Sequence, residues 1–202
     1  MVAALTLPNL IADYQKNTAA VRLKYAYSVL YQAVKLSEVD NGPIEYWELE
    51  STQGSSAINA TKNYVEKYFT PYMKVVKKDN LTTSSAPYEY GYYTKNGEYI
   101  SGGGHTLYSI ALNNGIYLHF NANFGIADTI TVRIDINGRQ KPNIMGRDTF
   151  FAYVYPNFSL RGEGLPRTTL INLCQVNDRT SQELCGAIIQ MDSWEIKDDY
   201  PW

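Results

Sequence analysis

An excess of charge of one sign is missing from this sequence. Its 18 Lys and Arg residues are balanced by 20 Asp and Glu residues, so that the net charge is −2 over 202 residues. Proteins that bind nucleic acid usually carry a basic patch and a high pI. No nucleic-acid partner is therefore expected from the charge.

Catalytic motifs are also missing. His105 and His119 are the only histidines, and neither belongs to an H-E-x-x-H motif or accompanies a G-x-S-x-G nucleophile turn. His105 follows Gly102–Gly104, which lack the Lys and Ser/Thr of a phosphate-binding loop. His119 alternates with apolar residues, which predicts a strand position facing solvent or a polar neighbour. We therefore expect no enzymatic activity and no cofactor.

Cysteine is scarce, and a long hydrophobic run is absent. Cys174 and Cys185 are the only cysteines, and their proximity favours one disulfide over two free thiols. The apolar run from Val2 to Ile11 ends before Asp13, whereas a membrane span needs about 20 apolar residues. Two explanations remain for this run: a buried helix start, or the lower part of a longer helix whose upper part has been removed.

Tyrosine and helix-compatible residues are abundant. The chain has 18 Tyr, 6 Phe and 3 Trp, a composition that suits half-exposed sheets and packed interfaces. Asn9 to about Asp40 predicts one long helix that Asn41-Gly42-Pro43 ends. Two apolar rows at steps of three and four predict that this helix is buried on more than one side. One row is Thr18, Val21, Tyr25, Ser28, Gln32, Leu36 and Val39, and the other is Leu23, Tyr27, Leu30 and Val34.

The remaining chain predicts an α+β fold. Ser55 to Lys67 predicts a second helix, and Lys77 to Ser85 a loop. The spacing of apolar residues then changes to a period of two, with hairpin turns at Asn96-Gly97 and Asn113-Asn114-Gly115. Helices followed by antiparallel strands predict a sheet that packs on the first helix. The predicted strands are Tyr88–Tyr93, Glu98–Ile100, Thr106–Leu112, Ile116–Phe120, Ile130–Asp135 and Thr149–Tyr155, with a short helix Ser181–Met191 and a last strand Trp194–Ile196.

The loop from Ile136 to Arg147 suggests a metal site. Asp135, Asn137 and Asp148 supply oxygen atoms beside Gly138, a pattern that suits calcium. The further acid and closing glutamate of an EF-hand are not in register. The alternative is an Asx turn at Asp135 and Asn137, with positive φ at Gly138 and Asp148 capping the loop or pairing with an arginine.

The first residues resemble a known family. VAALTLPNLIADYQ resembles the first helix of type IV pilins and type II secretion pseudopilins, just after their cleavage and methylation motif. Ala3, Ala4, Leu5, Leu7 and Pro8 match that stretch. The loop containing Asp135-Ile136-Asn137-Gly138 and the end Trp194–Pro201 are similar to one branch of the same family. The family's leader, cleavage-site glycine and following glutamate are not in the sequence, which suggests an N-terminal truncation.

The resemblance implies a pilin-like fold and a filament subunit. Residues 1–17 would be the rest of an apolar anchor and assembly helix kinked at Pro8, and residues 18–202 a globular head closed by the disulfide. The expected partners are other pilin subunits, the inner membrane in the full-length form, and the assembly machinery. The head would be periplasmic first and then part of a periplasmic or extracellular filament. The assembly residues would be Val2, Leu5, Leu7, Pro8, Leu10 and Ile11.

Two other functions remain open. An adhesin-like minor subunit would bind a glycan, a surface or DNA through its Tyr-rich sheet or the Gly102–Gly104 loop. A secreted enzyme would need His105 or His119 beside an acid in one cleft.

Overall fold

A computed structural model describes residues 3–48, 56–81, 91–100, 107–123, 129–138 and 140–202. Its architecture is α+β, as the sequence predicts: a long N-terminal helix packs on a six-stranded antiparallel sheet, and a disulfide joins Cys174 to Cys185. His105, Gly102–Gly104 and the first part of the predicted strand Tyr88–Tyr93 lie outside the described residues.

Helix α1 spans Ala3–Asn41 and, at 1.5 Å per residue, is about 58 Å long. It ends where Gly42 adopts a φ of +79°, a conformation that glycine adopts without a steric penalty. Tyr27 and Val29 of α1 pack against the core while half-buried, and the buried side chains of this helix begin at Ala19. They are Ala19, Ala20, Leu23, Ala26, Leu30, Ala33, Val34 and Ser37.

The prediction that both rows of α1 are buried is wrong for the isolated chain. Leu23, Leu30 and Val34 are buried, but Val21 and Val39 are 58% and 81% exposed. At about 100° per residue the two rows lie on opposite sides of the helix rather than beside each other. A helix on the surface of one head can bury only one such side.

Helix α2 spans Ser56–Tyr68, close to its predicted bounds, and lies over the sheet. A 3-10 helix at Ile44–Tyr46 precedes it, and another at Thr70–Tyr72 follows it. The Trp47 ring stacks on Tyr68 with centroids 4.5 Å apart, and its indole N–H donates to the Gly42 carbonyl. This aromatic contact fixes the end of α1 to α2.

The sheet has the order β1-β4-β5-β6-β7-β8, and all neighbouring strands are antiparallel. A separate hairpin pairs β2 with β3 through the predicted turn at Gly97, whose φ is +83°. The strands are β1 Val75–Leu81, β2 Tyr92–Tyr93, β3 Tyr99–Ile100, β4 Leu107–Leu112, β5 Tyr117–Asn123, β6 Thr129–Asp135, β7 Thr149–Tyr155 and β8 Ser159–Leu160.

Strand register explains the alternation of apolar residues. Ile110, Leu118, Ile134 and Phe150 are aligned across four strands and are buried in the cluster that includes α1. On strands, alternate side chains point to the same face of the sheet. The amphipathic part of α1 and the sheet therefore share one hydrophobic core.

Strand β1 corrects the predicted loop Lys77–Ser85, of which residues 82–85 lie outside the described part. Lys77, Lys78 and Asp79 gave the segment a loop-like composition, but they pair with Ala111, Ile110 and Ser109 of β4. Because β1 is the edge strand of the sheet, charged side chains are compatible with strand structure there.

The C-terminal segment folds into three short helices. Helix α3 (Arg167–Gln175) was not predicted, and the predicted helix Ser181–Met191 is divided into α4 (Arg179–Gln182) and α5 (Cys185–Met191). The Cys174–Cys185 disulfide joins α3 to α5. Closing a loop of this length contributes about 3 kcal/mol in the chain-entropy model.

The predicted last strand Trp194–Ile196 is wrong. Ser193 and Trp194 have φ values of +61° and +67°, which are incompatible with a strand. The Trp194 ring instead lies 5.1 Å from the ring of Tyr27 on α1. This contact ties the end of the chain to the first helix.

No helix in the described part of the chain combines the length and apolar character needed to cross a membrane.

Candidate assembly surface

One side of α1 carries a row of exposed apolar side chains, which we call the exposed stripe. At about 100° per residue its members fall within an arc of about 80°, opposite the side that packs on the head. They are Leu10 (67% exposed), Tyr14 (72%), Val21 (58%), Tyr25 (44%), Leu36 (52%) and Val39 (81%).

The exposed stripe runs along nearly the whole described helix. Leu10 to Val39 are 29 residues apart, which corresponds to about 44 Å. Polar Ser28 and Gln32 interrupt the row between Tyr25 and Leu36. Scattered exposed apolar residues are normal, but apolar residues that recur on one side of a helix over this length are typical of an interaction surface. The stripe therefore gives α1 a second apolar side without a partner in the described chain.

The predicted assembly residues lie at the start of this helix. Leu10 and Ile11 are exposed, at 67% and 50%. Leu5, Leu7 and Pro8 are described only as helical backbone, and Val2 lies outside the described residues. The division between residues 1–17 and 18–202 stays a prediction.

The loop after β6 forms the predicted Asx turn. The Asn137 backbone N–H donates to Asp135 Oδ1 at 3.2 Å, and Gly138 has a φ of +70°. A Cβ at Gly138 would lie 2.6 Å from the Gly115 carbonyl oxygen, so the β4–β5 turn also requires glycine there. The turn brings the end of β6 against the neighbouring hairpin.

Asp148 caps this loop, as the alternative to calcium predicts. Its carboxylate accepts the backbone N–H groups of Asn143 and Ile144 and the Asn137 side-chain amide. Burial raises the pKa of Asp148, against the effect of these donors. The carboxylate is thus engaged by groups of its own loop.

The calcium site at Asp135, Asn137 and Asp148 stays a prediction. In the described part of the chain, no group of three or more His, Cys, Asp and Glu side chains could hold a metal. If calcium binds, its addition will raise the melting temperature of the native chain but not that of Asp135→Ala. Unchanged melting temperatures in both proteins would leave the turn as the only role of these residues.

Asp135 makes stability depend on pH. Burial raises its pKa from the ordinary 3.8 to about 7, and nearby Asp148 adds to the shift, whereas Arg133 opposes it. Between pH 4 and pH 7, Asp135 is therefore protonated in the folded state and ionised in the unfolded state. Over this window the free energy of unfolding should fall as pH rises, by up to about 4 kcal/mol.

Asp135→Asn tests this pH dependence, because asparagine keeps the oxygen that accepts the Asn137 N–H. Urea unfolding at pH 4, 5, 6 and 7 should give a shallower decline for the variant than for the native chain. Parallel curves for the two proteins would show that Asp135 does not titrate in this window.

A cavity of about 330 Å³ lies between the start of the head-facing part of α1 and the Asx-turn loop. Its α1 side includes the stripe residue Tyr14 together with Arg22, and its other walls come from the loop and from Trp202. The lining residues are Tyr14, Gln15, Thr18, Ala19, Arg22, Ile136, Asn137, Lys141, Pro142, Arg147, Asp148 and Trp202.

His119 faces a polar neighbour, one of the two environments predicted for it. It is buried on β5, and its Nδ1 lies 2.6 Å from Ser109 Oγ on β4. The two residues are directly opposite in the β4–β5 register. The contact with Ser109 gives His119 a structural role in the sheet. The absence of enzymatic activity stays a prediction.

Lys95 is a half-buried cation that the sequence did not indicate. Its ammonium lies 3.0 Å from Cys174 Sγ and donates to the Pro201 carbonyl, and it faces the Tyr200 ring at 5.2 Å. Burial lowers the pKa of Lys95 to about 8, with Arg147 adding to the effect. Lys95 connects the β2–β3 hairpin to the disulfide and the C-terminal residues.

Comparison with known proteins assigns a family but no activity. Residues 9–202 match a family described as a family of unknown function (DUF6613). No curated protein and no solved structure matches the chain. Since the family match covers nearly all of the 202 residues, the chain belongs to this family of unknown function.

Proposed function

We propose that the chain is a structural subunit of a type IV pilus-like or type II secretion filament and that it assembles through α1. The observation that carries the proposal is the pair of opposite apolar sides on this helix. One side packs on the head through Leu23 and Leu30, and the other is the exposed stripe. A helix that packs both on its own head and on neighbouring subunits needs two apolar sides.

The hydrophobic effect supports burial of the stripe in an assembly. Fully burying one large apolar side chain contributes about 1.5–3 kcal/mol, and the stripe offers six along one helix. Parallel copies of α1 can bury these rows against one another while the heads stay outside. The pilin-like sequence of the first residues supports the same arrangement.

The rest of the fold suits an outer head. The sheet and α2 form a core that is complete without the stripe residues, and the disulfide fixes the C-terminal segment. In this proposal the full-length subunit is held in the inner membrane by apolar helix residues. Its head faces the periplasm until extraction into the filament.

The filament proposal is tested on cells that produce the full-length protein. Pili sheared from the cell surface, or filaments formed when the secretion system is overproduced, should contain the protein. Antibodies against residues 129–202 should label these filaments. Deleting the assembly ATPase gene should remove both signals. Protein that remains monomeric in the medium or periplasm, with no labelled filament, would contradict the proposal.

A further inference from the structure

The cavity beside α1 is cationic. Arg22, Lys141 and Arg147 line it, and none of the three forms an ion pair with a described residue. Arg22 donates to the carbonyls of Ile136 and Asn114, which are neutral partners.

The one acidic side chain of the described cavity lining does not cancel this charge. Asp148 is 6% exposed and accepts N–H groups of its own loop, and its single negative charge can offset only one of the three positive charges. Pro142 and Trp202 add apolar walls, and the Arg147 guanidinium lies 5.2 Å from the Trp202 ring centroid. The cavity thus suits an aromatic side chain accompanied by a carboxylate.

The opposite end of the head offers that combination. Beyond the end of α1, the 3-10 helix Ile44–Tyr46 presents Tyr46, which is 75% exposed, next to the exposed Glu45. We call Glu45 and Tyr46 the tip. Glu45 forms no ion pair with a described residue, whereas nearby Glu38 and Glu48 are paired with Lys35 and Lys67.

The helix separates the tip from the cavity by a fixed length. Asn41 lies 19 positions after Arg22 along α1, which corresponds to about 28 Å. The tip of a chain therefore cannot reach its own cavity. A second copy, shifted along the helix axis by about this length, can place its tip there.

We propose that the tip of one copy docks in the cavity of the next, with Tyr46 between Pro142 and Trp202 and Glu45 facing Arg147 and Lys141. This inference rests on the proposed filament function, and it names the contact that sets the axial shift between subunits. The contact joins two different surfaces, and repetition of such a heterologous contact generates an open helical filament when the rotation between copies does not close a ring.

The two contacts have different roles. Burial of the exposed stripe is non-directional and leaves the sliding of parallel helices weakly specified. An aromatic side chain in a pocket with opposite charges around it specifies one position. The stripe therefore supplies attraction between copies, and the tip and cavity supply register.

Cysteine cross-linking of the 202-residue chain tests the contact. Its two cysteines are already paired, so that Tyr46→Cys with Pro142→Cys introduces the only free thiols. Mild oxidation should give a ladder of dimers, trimers and higher species, while a mixture of the two single variants should stop at dimers. The control Tyr46→Cys with Thr169→Cys uses an exposed position on α3 and should give no ladder.

Charge exchange distinguishes the specific contact from chance collisions. Arg147→Glu should lower the ladder yield at least about tenfold, and Glu45→Arg in the same chain should restore it. A ladder no stronger than the Thr169 control would overturn the proposal. A second result would also overturn the proposal: phosphate or acetate raises the melting temperature through Arg147, and no ladder forms. The cavity would then be a binding site for a small anion.

The cross-linking experiment can fail independently of the filament experiment. Filaments that contain the protein but lack the 46–142 cross-link would contradict this contact and leave the filament function standing. A ladder from the soluble chain, without filaments on cells, would establish the contact and contradict the filament function.

Discussion

Lysine at both Val21 and Tyr25 is expected to abolish filament assembly and to leave the head folded. Both side chains belong to the exposed stripe, at 58% and 44% exposure. Burying an uncompensated ammonium in an apolar contact costs several kcal/mol, and the cost is repeated at every subunit. Since neither side chain belongs to the buried core, the free energy of unfolding should change by no more than about 0.5 kcal/mol per substitution.

The measurement is the amount of protein in sheared surface filaments, together with the melting temperature of the soluble chain. Thr168→Lys with Thr169→Lys is the matched control, because it adds the same charge at exposed positions on α3. Control filaments should remain at the native level. Native amounts of filament from the Val21 and Tyr25 variant would show that the stripe is not an assembly surface.

Leu30→Ala is expected to destabilise the chain by about 2–5 kcal/mol, the range for removing a buried leucine side chain. Leu30 is fully buried in the core between α1 and the sheet. Leu36, six residues later, is 52% exposed on the stripe, and Leu36→Ala should cost no more than about 0.5 kcal/mol. Replacing leucine with alanine is thus expected to be strongly destabilising at Leu30 and nearly neutral at Leu36.

Urea unfolding of the two leucine variants measures this difference. The pair tests which side of α1 faces the head, independently of any filament. Equal losses of stability at the two positions would contradict the described orientation of the helix. A large loss at Leu36 alone would place the stripe in the core.

Local sequence signals predicted the elements whose formation is local. Asn96-Gly97 and Asn113-Asn114-Gly115 form turns with positive φ at their glycines, and the flanking strands pair as expected. Helices α1 and α2 have apolar spacing and a clear end signal. In these segments backbone preference and tertiary packing favour the same structure.

Elements determined by distant contacts were predicted less well. β1 has a loop-like composition, and its strand structure depends on pairing with β4. Trp194 lies in a strand-like sequence but has positive φ and packs on Tyr27. The two rows of α1 have similar apolar spacing, so that spacing alone did not show which row faces the head.

The candidate surface was predicted only in part. The sequence indicated Leu10 and Ile11, and it placed Val21, Tyr25, Leu36 and Val39 in a row that it assigned to burial. Their exposure became visible only with the position of the sheet, because the sheet and α2 occupy the opposite side of α1. The cavity combines α1 with residues more than 110 positions later, a proximity that no local pattern contains.

The most direct test of the filament account is a cryo-electron microscopy reconstruction of filaments from cells that produce the full-length protein. The account predicts parallel α1 helices at the centre, with Val21 and Tyr25 buried against neighbouring copies and the sheets outside. A filament of this protein in which α1 lies on the outside with its stripe exposed to solvent would contradict it.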